Sequence, residues 1–417
     1  MISYYKSRIY SLLRSSERYT KTDMVYLTRG GFWLTFGQGI ASLASFLLAI
    51  GCAHFLPKEV YGQYKYIISV AAIITTFTLT GLGSAVVQST AIGFFGTLRK
   101  AFWINLKWSV FMILGSLIGA VYYIINENYE LGISLIIIAI VSPLLKSFEL
   151  YDAYLGGRKD FKRSSIFNSI EDTLSAVFIF IAILLTNNVI IIVGVYFISN
   201  MLMKAYFYRK IDKEIPKNSS IDYDAFRYGK HLSFINIWLN ISGQIDKILI
   251  FHYLGAIELA IYAFSTAIPR QVRSFIGMLG PLAMPKLAER SADEIKKSVP
   301  KKFLTSLFIL GPIVIIYIIS APYIYKVFFP QYMDSVFYSQ IYATFILLMG
   351  NLSEVALSAK KAVKEKYIIS ISVSIFNTVL MFIMLHFYGA LGVVLSIVIT
   401  KYLGSLLSFA LLKRIKD

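Results

Sequence analysis

QIDKILIFHYLGAIELAIYAFSTAIPRQVRS, residues Gln244–Ser274, reads as the end of one membrane-crossing helix, a tight turn at Leu254-Gly255 and the first half of the next helix. Apolar runs on both sides of so short a turn suit a hydrocarbon core about 30 Å thick, which needs about 20 apolar residues to cross. The stretch also carries charge where a span should have none. Asp246 and Lys247 precede the turn, and Arg270 and Arg273 follow it. An ionisable residue near the centre of a span costs about 2.5–3.5 kcal/mol on insertion scales. Each of these four therefore needs a partner, a wet cavity or a function.

The rest of the chain has the same character. Of 417 residues, 57% are hydrophobic and only 15% are charged, against about 25% charged in a soluble domain. The fold class is an all-α polytopic membrane protein; a β-barrel would show short alternating segments instead. Twelve spans are expected, near 30–55, 64–92, 101–124, 131–157, 165–186, 188–208, 226–253, 257–288, 303–325, 336–360, 367–387 and 389–412. The net charge of +18 is not a nucleic-acid signal. Its lysines and arginines sit in alternate short loops, with little beyond Lys58, Lys65 and Lys326 on the other side, which places both termini in the cytoplasm. Cys52 is the single cysteine, so no internal disulfide can form, and it reads as a packing residue. No cleavable signal peptide is expected in the basic first 29 residues, which suit either an amphipathic helix on the inner leaflet or a solvated tail.

The spans fall into two six-helix halves, 30–209 and 226–412, flanked by a basic segment 1–29, a linker 210–225 and a tail 413–417. A constant shift of 198 positions overlays Leu56–Tyr64 on Leu254–Tyr262 and Gly194 on Gly392, and brings each later span over its counterpart. Six spans per half give both halves the same orientation, with a central cavity between them. No loop is long enough to fold into a domain, so the chemistry belongs within or between helices.

Arg270 and Arg273 lie about 20 Å below the outer end of the eighth span at 1.5 Å per residue, three residues apart on one face. Two planar guanidinium forks suit a diphosphate. Pro269 beside them suggests a kink or an unwound turn, and Gly277, Gly280, Pro281 and Pro285 make the lower half deformable. Lys401, mid-way along the twelfth span, is the third candidate for the cavity. The alternative for the arginines is a structural pair. Asp246 and Lys247, as sequence neighbours, are expected to point apart. Asp246 is either a partner for an arginine of the next helix, the preferred reading, or a titrating site for a coupling ion. Glu149 and Asp152 share a face near the cytoplasmic end of span four and are expected in ion pairs with Lys107 or Lys146 rather than in a mouth gate, and Glu171 and Asp172 lie near the cytoplasmic end of span five. Asn236, Asn240 and Gln244 form a polar stripe suited to a cavity wall or to interhelical hydrogen bonds. There is no GxxxxGK[ST] phosphate loop and no HExxH motif, and no catalytic residue, metal or cofactor is expected.

Three motifs in order carry a family resemblance: Leu56-Pro57-x-Glu59-x-Tyr61-Gly62-x-Tyr64; Asp246-Lys247-Ile248-Leu249 with Leu254-Gly255-x-x-Glu258-x-x-x-Tyr262; and Phe328-Phe329-x-x-Tyr332. With these the chain resembles the polysaccharide-repeat-unit flippases of the multidrug/oligosaccharidyl-lipid/polysaccharide exporter superfamily. Ala260 departs from the glycine usual in the second-half motif. The resemblance implies a bacterial inner-membrane transporter, not an enzyme. It would move an undecaprenyl-diphosphate-linked oligosaccharide to the periplasmic leaflet by alternating access, for O-antigen, lipopolysaccharide, capsule or exopolysaccharide synthesis. H+ or Na+ is the expected coupling ion, and polymerase and chain-length proteins are the expected pathway partners. In that setting Arg270, Arg273 and Lys401 would hold the diphosphate. The competing expectations are an ion-coupled drug or metabolite exporter of the same superfamily and a membrane glycosyl-transfer enzyme. The first would be lined by carboxylates, and the second would carry a large periplasmic loop that this chain lacks.

Overall fold

The computed structural model describes residues 24–277, 287, 290–360 and 362–414. The basic tail to residue 23, together with Gly280, Pro281 and Pro285, lies outside them. The described residues form helices and turns with no strand. Span one is α1 (Met24–Phe55), and span two is broken into α2 (Lys58–Thr75) and α3 (Leu82–Ala91). Span three is α4 (Thr97–Trp108) and α5 (Val110–Ile125), and span four is α6 (Tyr129–Phe148) and α7 (Leu150–Gly157). Spans five and six are α8 (Phe161–Leu185) and α9 (Val189–Glu214). Asn188 makes the tight joint between them, its Oδ1 accepting from the Ile190 and Ile191 amides at 2.8 and 3.4 Å.

In the second half, α10 (Asp224–Ser242) and α11 (Ile245–Leu254) make span seven, and α12 (Ala256–Gly277) carries span eight. Span nine is α13 (Ala292–Phe328). Span ten is α14 (Ser335–Ala343), a 3-10 segment Thr344–Gly350 and α15 (Ser353–Ala359), bent by 40°. The last helical run, α16 (Val363–Leu412), has 50 residues, about 75 Å if straight. It is two legs. Gly389 adopts φ 57°, ψ −139°, a conformation open only to glycine, and the Ser396 hydroxyl reaches back to donate to the Leu380 carbonyl at 3.1 Å. The expected eleventh and twelfth spans are these two antiparallel legs.

Among the described residues, seven helices are long and apolar enough to cross a membrane as they stand, and bent span ten makes an eighth. Splitting α16 accounts for one more. Spans two, seven and eight complete the twelve, and they fall short because they are broken or charged. All three pack against one another at the junction of the halves. Spans that face protein and a cavity rather than lipid can carry polar residues.

The apolar core shows how the halves meet. One buried cluster, at the end carrying the Leu56-Pro57 and Leu254-Gly255 turns, draws on both halves. At the opposite end there are two separate clusters. One holds Leu82, Phe102, Tyr151 and Phe207 of the first half, and the other holds Ile295, Leu357 and Leu411 of the second. Among the described residues, a shared core closes the turn end, and the cores at the lysine-rich end are separate. The motif residues build the seal. Tyr61 packs on Phe264 with ring centres 4.7 Å apart, and Phe264 on Tyr332 at 3.9 Å. Lys58 bridges to Asp334 at 3.2 Å. At Gly62, α2 crosses α12 so closely that a Cβ would sit 1.9 Å from the Ala256 carbonyl oxygen.

One helix breaks this division. The start of α10 packs on the first half: Phe226 joins the first-half cluster, and the Ser233 hydroxyl accepts from the Gly81 amide at 2.9 Å. The linker before it is also held. Arg99 bridges to Asp212 at 2.6 Å and donates to the Pro216 and Ile215 carbonyls.

Candidate functional site

The site grows from Asp246, whose side chain is only 6% exposed. Its first turn in α11 places it opposite α12, and it gathers three partners. Tyr262 donates to Oδ2 at 2.5 Å. Arg270, two turns further along α12, reaches the same oxygen with Nη2 at 3.4 Å. Lys247 meets Oδ1 at 3.2 Å and also donates to Gln244 Oε1 at 2.9 Å. The pairing of Asp246 with an arginine of the next helix matches the preferred expectation. The expectation that Asp246 and Lys247 point apart is wrong: the long lysine stem curls back and closes the pair.

Arg270 is only partly engaged by Asp246. Its Nε donates to the Tyr342 hydroxyl at 3.3 Å, and its guanidinium stands 5.7 Å over that ring. One turn below, Arg273 stands 5.9 Å over the Phe345 ring. The two arginines thus share one face and track Tyr342 and Phe345 on the facing span, each in cation–π contact. The chain stays α-helical through Pro269 instead of unwinding. Arg270 is half-buried, with 39% of its side-chain surface accessible. Arg273 is exposed rather than buried, and no ion pair to it occurs among the described residues.

Lys401, on the second leg of α16, lies within electrostatic reach of Arg273, Arg270 and Glu354. A fourth cation was put in an outer loop by the sequence reading. Lys65 lies inside α2, within electrostatic reach of Lys247 and Arg270, its ammonium 5.2 Å over the Tyr61 ring. The signal was its place: between Tyr64 and Tyr66 at the head of an apolar run, the second residue of span two by the limits drawn above. Five cations therefore face two carboxylates, Asp246 and Glu354, and Asp246 is already saturated. Such a region favours an anion.

The first half holds a second polar site, a cavity of about 340 Å³ lined by Gln38 of α1, Glu149 and Asp152 of span four, Glu171 and Asp172 of α8, and Lys204 of α9. Lys204 was missed in the sequence. It bridges Glu171 at 2.8 Å and approaches Glu149 at 3.8 Å, while Lys146 pairs with Glu149 at 3.0 Å. Lys107, an expected partner, is exposed and makes no ion pair among the described residues. Asp152 accepts from the Ser164 hydroxyl at 2.5 Å and from Asn168 at 3.2 Å.

Several solved structures share this fold. An outward-facing multidrug-resistance MATE-family transporter of the MOP superfamily superposes with a TM-score of 0.64 at 14% identity, covering 92% of this chain and 94% of that one. A MATE protein solved with MaD5 gives 0.62 at 13% identity, covering 93% and 95%. A MOP-superfamily transporter from Pyrococcus furiosus, described as having a binding pocket of reverse polarity, gives 0.54 at 16% identity, covering 92% and 95%. No curated protein matches the sequence. Residues 27–289, more than half of the chain, match the family described as "Polysaccharide biosynthesis protein". The chain is a multi-pass membrane protein with the transporter fold of the MOP superfamily, and it belongs to the polysaccharide biosynthesis protein family.

Proposed function

We propose that this protein is a flippase for an undecaprenyl-diphosphate-linked oligosaccharide, carrying it from the cytoplasmic to the periplasmic leaflet of a bacterial inner membrane. One observation supports the reading: Arg270 and Arg273 share one face over Tyr342 and Phe345, only Arg270 meets a carboxylate, and Lys401 lies within electrostatic reach of both. Arginine forks grip phosphate oxygens in pairs. The family description points to the same class of cargo. In this reading Asp246 and Lys247 are structural: Asp246 fixes one edge of Arg270 and leaves the rest of the guanidinium to the cargo. The shared core at one end and the separate cores at the other support an alternating-access carrier open toward its lysine-rich end, and the positive-inside distribution supports a cytoplasmic assignment for that end.

The test is to extract lipids from cells lacking the protein. Accumulation of one complete lipid-linked repeat unit, cleared by the intact gene but not by Arg273→Ala, supports the flippase. An Arg270→Lys, Arg273→Lys double variant should lose about tenfold or more in transport, because lysine offers a point charge in place of a fork; full transport would overturn the diphosphate site. The carboxylates around Lys204 favour a second reading, an ion-coupled small-molecule exporter. Normal lipid-linked sugar and normal surface polysaccharide would select it.

A further inference from the structure

The same seam between helices is closed in one half of the molecule and open in the other. In the first half α1 packs directly on α8. The Ser165 hydroxyl donates to the Trp33 carbonyl at 2.5 Å, and a Cβ on Gly37 would sit 2.0 Å from that hydroxyl. The 198-residue shift puts Val363 at Ser165 and Tyr367 at Ser169. Small residues that let two backbones touch are thus replaced by large ones. Their partner helix, α10, leans on the first half through Gly81 and Ser233. Between α10 and the first leg of α16 a groove of about 910 Å³ opens.

Its lining is the shifted image of the first-half cavity with the chemistry changed. Leu232, Leu239, Val363, Lys366 and Ser370 stand where Leu34, Ala41, Ser165, Asn168 and Asp172 line the other. The groove is mostly apolar, with Ile371 and Ile375 along it and Lys366 at its basic end. From Tyr228 to Leu239 and from Val363 to Ile375 it runs about 17 Å at 1.5 Å per residue, close to one leaflet of a hydrocarbon core of about 30 Å. A concave apolar track one leaflet long, with a cation at the membrane surface, is complementary to a long hydrocarbon chain ending in phosphate.

We propose that this α10–α16 groove holds the isoprenoid chain of the lipid-linked cargo, its phosphates meeting Lys366 as the lipid enters from the lysine-rich side. The proposal rests on the flippase reading and assigns it a place for the part of the substrate that carries no sugar. Lys366 captures the head, the groove takes the chain out of bulk lipid, and the arginines receive the diphosphate further into the protein.

The experiment uses the full chain in vesicles of phosphatidylethanolamine and phosphatidylglycerol, with undecaprenyl diphosphate bearing a photoreactive diazirine in its chain. Labelling should fall on the α10 and α16 segments. Ile371→Trp or Ile375→Trp, which fill the groove, should lower it about tenfold, the equivalent of two buried methylene groups. Phe308→Trp on the exposed side of α13 should leave it unchanged and shows that the added indole is tolerated. Lys366→Glu should lower labelling by the diphosphate but not by the uncharged polyprenol. Equal labelling by a diazirine phosphatidylglycerol would overturn the proposal by making the groove a general lipid site. So would labelling elsewhere, or labelling indifferent to both tryptophans. If the groove fails while cells lacking the protein still accumulate the lipid-linked unit, the flippase reading stands alone; if neither is seen, both fall.

Discussion

Replacing Gly62 by alanine should open the sealed end. The added Cβ would lie 1.9 Å from the Ala256 carbonyl oxygen and 2.5 Å from its carbon, so α2 and α12 must part by roughly 1.5 Å to reach ordinary contact. Overpacking of this kind costs about 1–3 kcal/mol. Parting also loosens Tyr61 from Phe264 and from Tyr332, now 4.7 and 6.2 Å apart, at about 0.5–1.5 kcal/mol for each ring contact. Toward the lower end of these ranges the loss to the sealed state is about 2.5 kcal/mol, a fifty- to hundredfold shift in the balance between sealed and unsealed forms. The protein supplies its own reporter. Cys52, its only cysteine, is 4% exposed within the sealed cluster. Maleimide labelling of Cys52 from the outer side should be slow in the native protein and about fifty times faster in Gly62→Ala. Gly311→Ala in α13, where a Cβ meets nothing within 4 Å, should leave the rate unchanged. Equal labelling of Cys52 in native and Gly62→Ala protein would refute the argument that helix approach at Gly62 holds the end shut.

Two further substitutions test the framework. Lys204→Met leaves Glu171, 6% exposed, without its cation and should destabilise the protein by about 3 kcal/mol. Thermal melting should show that loss and its recovery when Glu171→Gln is added; a melting point unchanged in the single variant would mean the cavity rehydrates the carboxylate freely. Gly389→Ala puts a side chain at φ 57°, ψ −139° and should cost about 1–3 kcal/mol, seen as a lower melting temperature and a weakened hairpin between the legs of α16.

The large features were legible in the sequence because each repeats. Twelve apolar runs, alternate basic loops and a constant 198-residue shift give many independent chances to detect one pattern, and Gly389 marks where a 50-residue helical run must fold back. The pairing of Asp246 with Arg270 was legible because both belong to one hairpin. Lys204 was not, because it sits among Met201, Leu202, Met203 and Ala205, and its partners Glu149 and Glu171 come from two other spans. The duplication gave no help there, since the shift sets Lys204 against Tyr402. Lys65 was misplaced because the drawn limit of span two put it at the span's end, whereas α2 begins two turns earlier at Lys58. The curl of Lys247 back onto Asp246 was hidden for another reason: helical geometry fixes where a Cβ points and leaves a long side chain free to return.

Span seven is held at its two ends by different partners. Below, Gly81 grips it through Ser233; above, Tyr262 and Arg270 grip it through Asp246. Between these anchorages the helix is interrupted at Gly243 and Gln244. A beam riveted to two bodies transmits any rotation between them, and it yields at its weakest section. Those two residues are that section of span seven, so a rocking of the halves, as proposed above, would be taken up in their backbone angles as far as the shared core at the turn end allows.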